Sequence, residues 1–259
     1  MDRPSYSAWY SFKTLLRKEV RRYLIMAPQT LLAPLITVSL YLLVFCVSLG
    51  SRISLESNVS YLDFVVPGLI LMGAVNNSFA NISSSLFLSK YLGSLADILV
   101  TPITPFQFQM AYTLAAMTRG LIVALLILGV SLCFSFSPWD NPLLAIGMIL
   151  LATFIFAQLG IIAALTSASF DTLSMYTNFL ILPLIYLGGL FYPVSKLPEP
   201  WNHVSQLNPL YYLIEGFRGA KLGTSDLSAE AALMGALLVA LLFGSSTYLM
   251  IKSGYKLRI

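Results

Sequence analysis

The chain's 259 residues are 58% hydrophobic and only 10% charged, with a mean hydropathy of +0.81. Soluble domains carry roughly a quarter charged residues, so this composition excludes an ordinary aqueous globular protein and points to a bilayer. The formal charge of +4 is modest and comes without a basic run, which leaves no signature of a nucleic-acid partner.

Residues 5–26 read as an amphipathic helix. Trp9, Phe12, Leu16, Val20 and Tyr23 make one stripe, and Lys13, Arg17 and Arg21 make a basic row beside it. That pattern suits a helix on the inner leaflet, its arginines near anionic lipid headgroups. The charged leader and the long uncharged run after Arg22 exceed a signal peptide's dimensions, so a retained first span over 28–50 is expected. Five more windows reach the length needed to cross a bilayer: 64–88, 105–134, 141–168, 172–194 and 229–251, the last uncharged from Ala231 to Ile251.

Span two contains GAVNNSFANISSS, in which Gly73, Asn77, Asn81 and Ser84 fall within about 80° of one another on a helix. Such a small, polar stripe serves close helix packing or lines an amphipathic conduit. Between spans two and three, KYLGSLADILVTPITP is too short to cross. Leu92, Leu95, Leu99 and Val100 keep one helical face, Lys90, Asp97 and Thr101 fall largely outside it, and two Thr-Pro steps end the helix, expected over 90–101. Span three carries Arg119 roughly 20 Å along its axis. A charge at that depth costs from about 3 to more than about 10 kcal/mol on an isolated helix. No carboxylate lies in the uncharged runs of these windows, so backbone carbonyl, water, a loop carboxylate or a substrate headgroup is the expected partner. A structural or snorkelling role and a transport role stand equal for this residue.

Asp171 occupies the tight loop between spans four and five. After span five, residues 198–222 offer two short helices, one opening at Pro200 and one at Asn208-Pro209. At about 15 Å each they cannot cross, and Tyr211 and Tyr212 are too apolar for a free loop. A re-entrant external hairpin, pinned by an i, i+3 pair of Glu215 and Arg218, is expected. Cys46 and Cys133 lie in apolar runs without a CxxC partner, and His203 is the only histidine, so no metal site is expected.

Lysines and arginines cluster in the N-terminal segment, at Lys90 and in the C-terminal tail, against Arg52, Lys196, Arg218 and Lys221 on the other side. The positive-inside rule then puts both termini and the 90–101 segment in the cytoplasm. The expected fold is an all-α membrane protein, one transmembrane domain over 1–259 with six transmembrane helices.

QTLLAPLITVSLYLLVF, FVVPGLILM, LADILVTPITP, YLGGLFYPVSKLPEPW and LNPLYYLIEGFR, in this order along nearly the whole chain, resemble the ABC-2 type permeases. These are the membrane subunits of type-2 ATP-binding-cassette exporters, and the likeness is greatest to small bacterial inner-membrane transport permeases. The resemblance implies that 90–101 is a coupling helix seated on a separate ATPase, with Asp171 a second contact. It also implies a homodimer of this chain with two ATPase copies, which carry ATP and Mg. No phosphate-binding GxxxxGK[ST] motif occurs here, so this chain needs no cofactor of its own and is not expected to be an enzyme. The expected function is ATP-driven export of a lipid-like, amphipathic or glycan-linked molecule across a bacterial inner membrane. An ion-coupled carrier would want intramembrane carboxylates, and a membrane-embedded enzyme several polar groups at one depth.

Overall fold

A computed structural model describes residues 8–44, 60–134, 138–223 and 225–257. The first residues of the expected N-terminal helix, the end of span one with Cys46, and Arg52 lie outside the described residues. Among the described residues every regular element is helical.

Helix α1 (Ala8–Ile25) meets a π-helical turn, Pro28–Leu32, that leads into α2 (Ala33–Leu43), the two halves bent by 75°. The long α3 (Tyr61–Tyr91) is followed by a short α4 (Leu95–Val100), then α5 (Pro105–Ser131) and α6 (Pro142–Thr166). Next, α7 (Phe170–Met175) runs through a π-helical stretch into α8 (Leu182–Leu187). The short α9 (Glu199–Gln206) and α10 (Pro209–Leu222) precede α11 (Ala229–Lys252). Among the described residues five helices are long and apolar enough to cross a membrane, or six if the bent α1–α2 pair is one span.

Local chemistry sets several boundaries. Thr104 and Gln107 form a reciprocal capping box at the start of α5, with Pro105 in the first turn. Asn141, Ser169, Asn208 and Ser228 accept backbone N–H groups at the starts of α6, α7, α10 and α11. Gly93 (φ 76°) and Gly189 (φ 77°) adopt the left-handed conformation that glycine tolerates best. Both correct expected boundaries. The helix expected over 90–101 is instead the end of α3, a turn at Gly93 and the six-residue α4. Span five, expected to reach 194, stops at Leu187, where Gly188 and Gly189 break it.

Helix α3 is the centre of the bundle, with α5 and α6 packed along it. A Cβ on Gly120 of α5 would lie 2.8 Å from the Ala74 carbonyl oxygen, and one on Gly160 of α6 would lie 2.9 Å from that of Phe79. Small residues let the three backbones approach closely, which is how helices associate where lipid is as apolar as their side chains.

Two buried clusters mark the two ends. Leu15, Phe87, Leu95, Phe108, Leu165, Ile251 and Leu257 share one, gathering α1, α4, the α6 terminus and the C-terminal end. Tyr61, Phe64, Leu69, Ile127, Ala145, Leu210, Phe217 and Ala232 belong to the other, which gathers α9–α10's side. Successive long helices therefore run in alternating directions.

Helix α1 departs from the surface position its stripe implies. Leu15, Glu19 and Tyr23 are its buried residues, while Trp9 is 58% exposed. Leu15 joins the cluster around Phe108, and two turns later the Tyr23 hydroxyl reaches Thr118 Oγ1 at 3.1 Å. Its second half thus climbs along α5, held by polar side chains that an apolar stripe does not reveal.

Candidate docking helix and intramembrane polar sites

Helix α4 joins the two core helices α3 and α5, and it offers a face that this chain leaves uncovered. Leu95 is buried, whereas Leu92 is 67%, Leu99 38% and Val100 87% exposed, with Asp97 and Thr101 also exposed. The expected single stripe therefore splits: Leu95 anchors α4 to the bundle, and Leu99 and Val100 face outward. The Thr101 hydroxyl donates to the Ile98 carbonyl at 2.6 Å, closing the helix. Lys90 is not on that face. It is buried at the end of α3, its Nζ donating to the Leu165 and Ser167 carbonyls at 2.7 and 3.2 Å, which satisfies the open C-terminus of α6. Asp171 is exposed in the first turn of α7, beyond that same junction.

A second site lies where α1, α3 and α5 meet. Glu19, 1% exposed, accepts from Ser85 Oγ at 2.5 Å and from Arg22 Nε at 3.3 Å. Arg22 Nη2 also donates to the backbone carbonyl and side-chain oxygen of Asn81, both at 2.8 Å. Arg119 donates to Asn77 Oδ1 at 3.0 Å and, more weakly, to the same Asn81 Oδ1 at 3.5 Å. To the partners expected of Arg119 the structure adds the amides of the span-two stripe, which sequence reasoning had not named. Asn77 and Asn81 are buried with Gly73, while Ser84 turns outward. Sequence reasoning missed Glu19 and Arg22, although an acid flanked by the basic row of α1 was a visible signal.

A third cluster, also missed, joins α5, α6 and α11. Gln109 Nε2 donates to Gln158 Oε1 at 2.9 Å, to the Gly244 carbonyl at 2.9 Å and to Thr247 Oγ1 at 2.6 Å. Gln158 Nε2 donates to Thr113 Oγ1 at 3.0 Å, so the network closes within the bundle. Two glutamines inside otherwise apolar windows were the signal available.

At the opposite end, Arg218 is 2% exposed and pairs with Glu215. Its Nη2 donates to the Gly189 carbonyl at 2.7 Å, its Nε to the Phe64 carbonyl at 3.3 Å, and its guanidinium lies 3.7 Å from the Phe64 ring centroid. Burial pushes the Glu215 carboxyl above the usual range, while Arg218 and the Asp226 N–H pull it back. Lys221 Nζ approaches Asp63 at 3.4 Å. Tyr211 is buried and Tyr212 half-buried, the latter ring packing where a Cβ on Gly235 of α11 would collide with it. These contacts lock α10 onto α3, α8 and α11.

The described residues thus form an all-α bundle of membrane-crossing helices with buried polar junctions and a short, partly exposed helix between the core helices α3 and α5. The chain belongs to the ABC-2 type transporter family, whose model matches residues 10–222. It is 36% identical over 219 residues to the inner membrane transport permease YadH of Escherichia coli K12, covering 84% of this chain and 85% of that one. It is also 26% identical over 186 residues to nodulation protein J of Rhizobium meliloti, covering 71% of each. Nodulation protein J of Sinorhizobium fredii is 26% identical over 175 residues, with 67% of each covered. The protein is therefore a multi-pass inner-membrane permease of this family, which implies pairing with an ATP-binding-cassette ATPase.

Proposed function

We propose that this chain forms half of an exporter that moves a lipid-like, amphipathic or glycan-linked molecule outward, driven by ATP hydrolysis on a separate subunit. The observation that carries this reading is α4: one anchored leucine and an uncovered apolar edge, placed between the two helices that form the core. Such an element, docked on the ATPase, transmits its closure to α3 and α5 together. Lys90, holding the end of α6, ties the same movement to a third helix. Asp171 supplies a second contact on the same side.

The orientation follows from charge. Lys13, Arg17, Lys18, Arg21, Lys90, Lys252 and Lys256 belong to the end that carries α4, against Lys196, Arg218 and Lys221 at the other. An excess of lysine and arginine marks the cytoplasmic side, so both termini and α4 face the cytoplasm and α9–α10 form a hairpin re-entering the outer leaflet. Two copies of this chain enclose the pathway, with two ATPases binding ATP and Mg²⁺. The segment Phe170–Leu187, only 17% buried across its most apolar stretch, has a face free for a second copy. An ion-coupled carrier finds one feature in its favour, the buried Glu19, but Ser85 and Arg22 hold that carboxylate in place.

The test is co-purification of the chain with its ATPase and measurement of chain-dependent ATP hydrolysis. Val100→Asp puts a charge on an exposed position and is expected to leave the chain folded, within about 0.5 kcal/mol of wild type, while detaching the ATPase. Full coupling in that variant would refute the docking role of α4.

A further inference from the structure

The junction of α1, α3 and α5 holds two guanidinium groups and one carboxylate. Glu19 is already committed to Ser85 and Arg22, and Lys18 Nζ stands 3.7 Å from its other oxygen. Among the described residues Arg119 donates to neutral amides alone, and its buried Nε finds no hydrogen-bond partner. Both arginines donate to the one Asn81 side-chain oxygen, so two like charges converge on a single neutral acceptor. Asn81 lies ten residues before the end of α3, about 15 Å into the bundle. At such depth like charges repel far more than in water, and an unanswered guanidinium donor is costly.

The junction is also reachable. The Arg22 side chain is 28% exposed, and Ala80 and Ser84, flanking Asn81 on α3, and Thr118, next to Arg119 on α5, are exposed and small. A group entering there from the inner leaflet needs negative charge to answer the pair and an apolar remainder to sit against the surrounding lipid-facing surface. The planar guanidinium fork favours oxyanions such as carboxylate and phosphate, whose oxygens accept its donors in pairs.

The geometry points to an anionic headgroup site: Arg22 and Arg119 bind the phosphate, sulfate or carboxylate of an acyl-bearing molecule, with Asn77 and Asn81 holding the two guanidinium groups in place. This deepens the exporter reading, on which only the ligand's status as cargo depends; the site itself does not rest on it. The same chemistry belongs to a transported amphiphile and to a resident membrane lipid.

The test is native mass spectrometry of the full chain released from phosphatidylcholine nanodiscs doped with phosphatidylglycerol. The wild-type chain is expected to retain phosphatidylglycerol about tenfold more tightly than phosphatidylcholine. Arg22→Gln and Arg119→Gln each abolish that preference, whereas Arg119→Lys, which keeps the charge but not the fork, retains part of it, guarding against simple misfolding. Lys196→Gln, at an exposed position of the opposite end of the bundle, leaves it unchanged. No preference in the wild type, or an equal one in both glutamine variants, overturns the site. A second arm adds the ATPase and ATP. Release of the bound lipid on turnover supports cargo; retention supports a resident lipid and refutes only the part in export.

Discussion

Arg218 and Arg119 are both arginines in an apolar bundle, and their surroundings differ. Arg218 has a carboxylate, two backbone carbonyls and an aromatic face, so its charge and its donors are answered within this chain. Arg119 has two amide oxygens, one of them shared with Arg22, and among the described residues its buried Nε stays unpaired. A cation of the first kind fastens α10 to its neighbours. A cation of the second kind is held ready for a charge that no described residue supplies.

The contrast predicts graded stability effects. Arg218→Met strands Glu215 as a buried unpaired carboxylate, and thermal unfolding of the purified chain should show a loss of about 3–5 kcal/mol. Gln158→Leu comes next, because Gln109 and Thr113 lose partners inside the bundle; about 1–2 kcal/mol is expected in the same measurement. Arg119→Leu is expected to stay within about 1 kcal/mol of wild type, since losing two hydrogen bonds to amide oxygens is offset by removing its repulsion with Arg22. ATP-driven export by that variant should nonetheless fall steeply. A stability loss matching that of Arg218→Met would erase the distinction between the two sites, and undiminished export would remove Arg119 from the mechanism.

Much of the bundle was legible because its signals are local. Thr104-Pro105 and Asn208-Pro209 announce helix starts through side chains that cap the next turn, and the long apolar windows announce membrane-crossing helices through length alone. Arg119 was legible as a problem, because a charge so far from either end of an apolar window needs a partner. The partner was not legible, since Asn77 and Asn81 belong to another helix. The role of Lys90 was misread for a related reason. Beside LGSLADILV it looks like part of the amphipathic segment, whereas the carbonyls it satisfies lie on α6, far along the chain.

By itself the sequence determined that the protein lives in a bilayer, roughly where its helices begin, and which end carries the basic residues. Hydropathy, capping and charge bias all act over a few turns of chain, so they are written locally. Only the tertiary structure decided that α1 climbs along α5, that Leu95 turns inward while Leu99 and Val100 do not, and that Arg22 and Arg119 converge on one asparagine. Those outcomes depend on which faces of distant helices meet, and close packing through Gly120 and Gly160 settles that only once the bundle has formed.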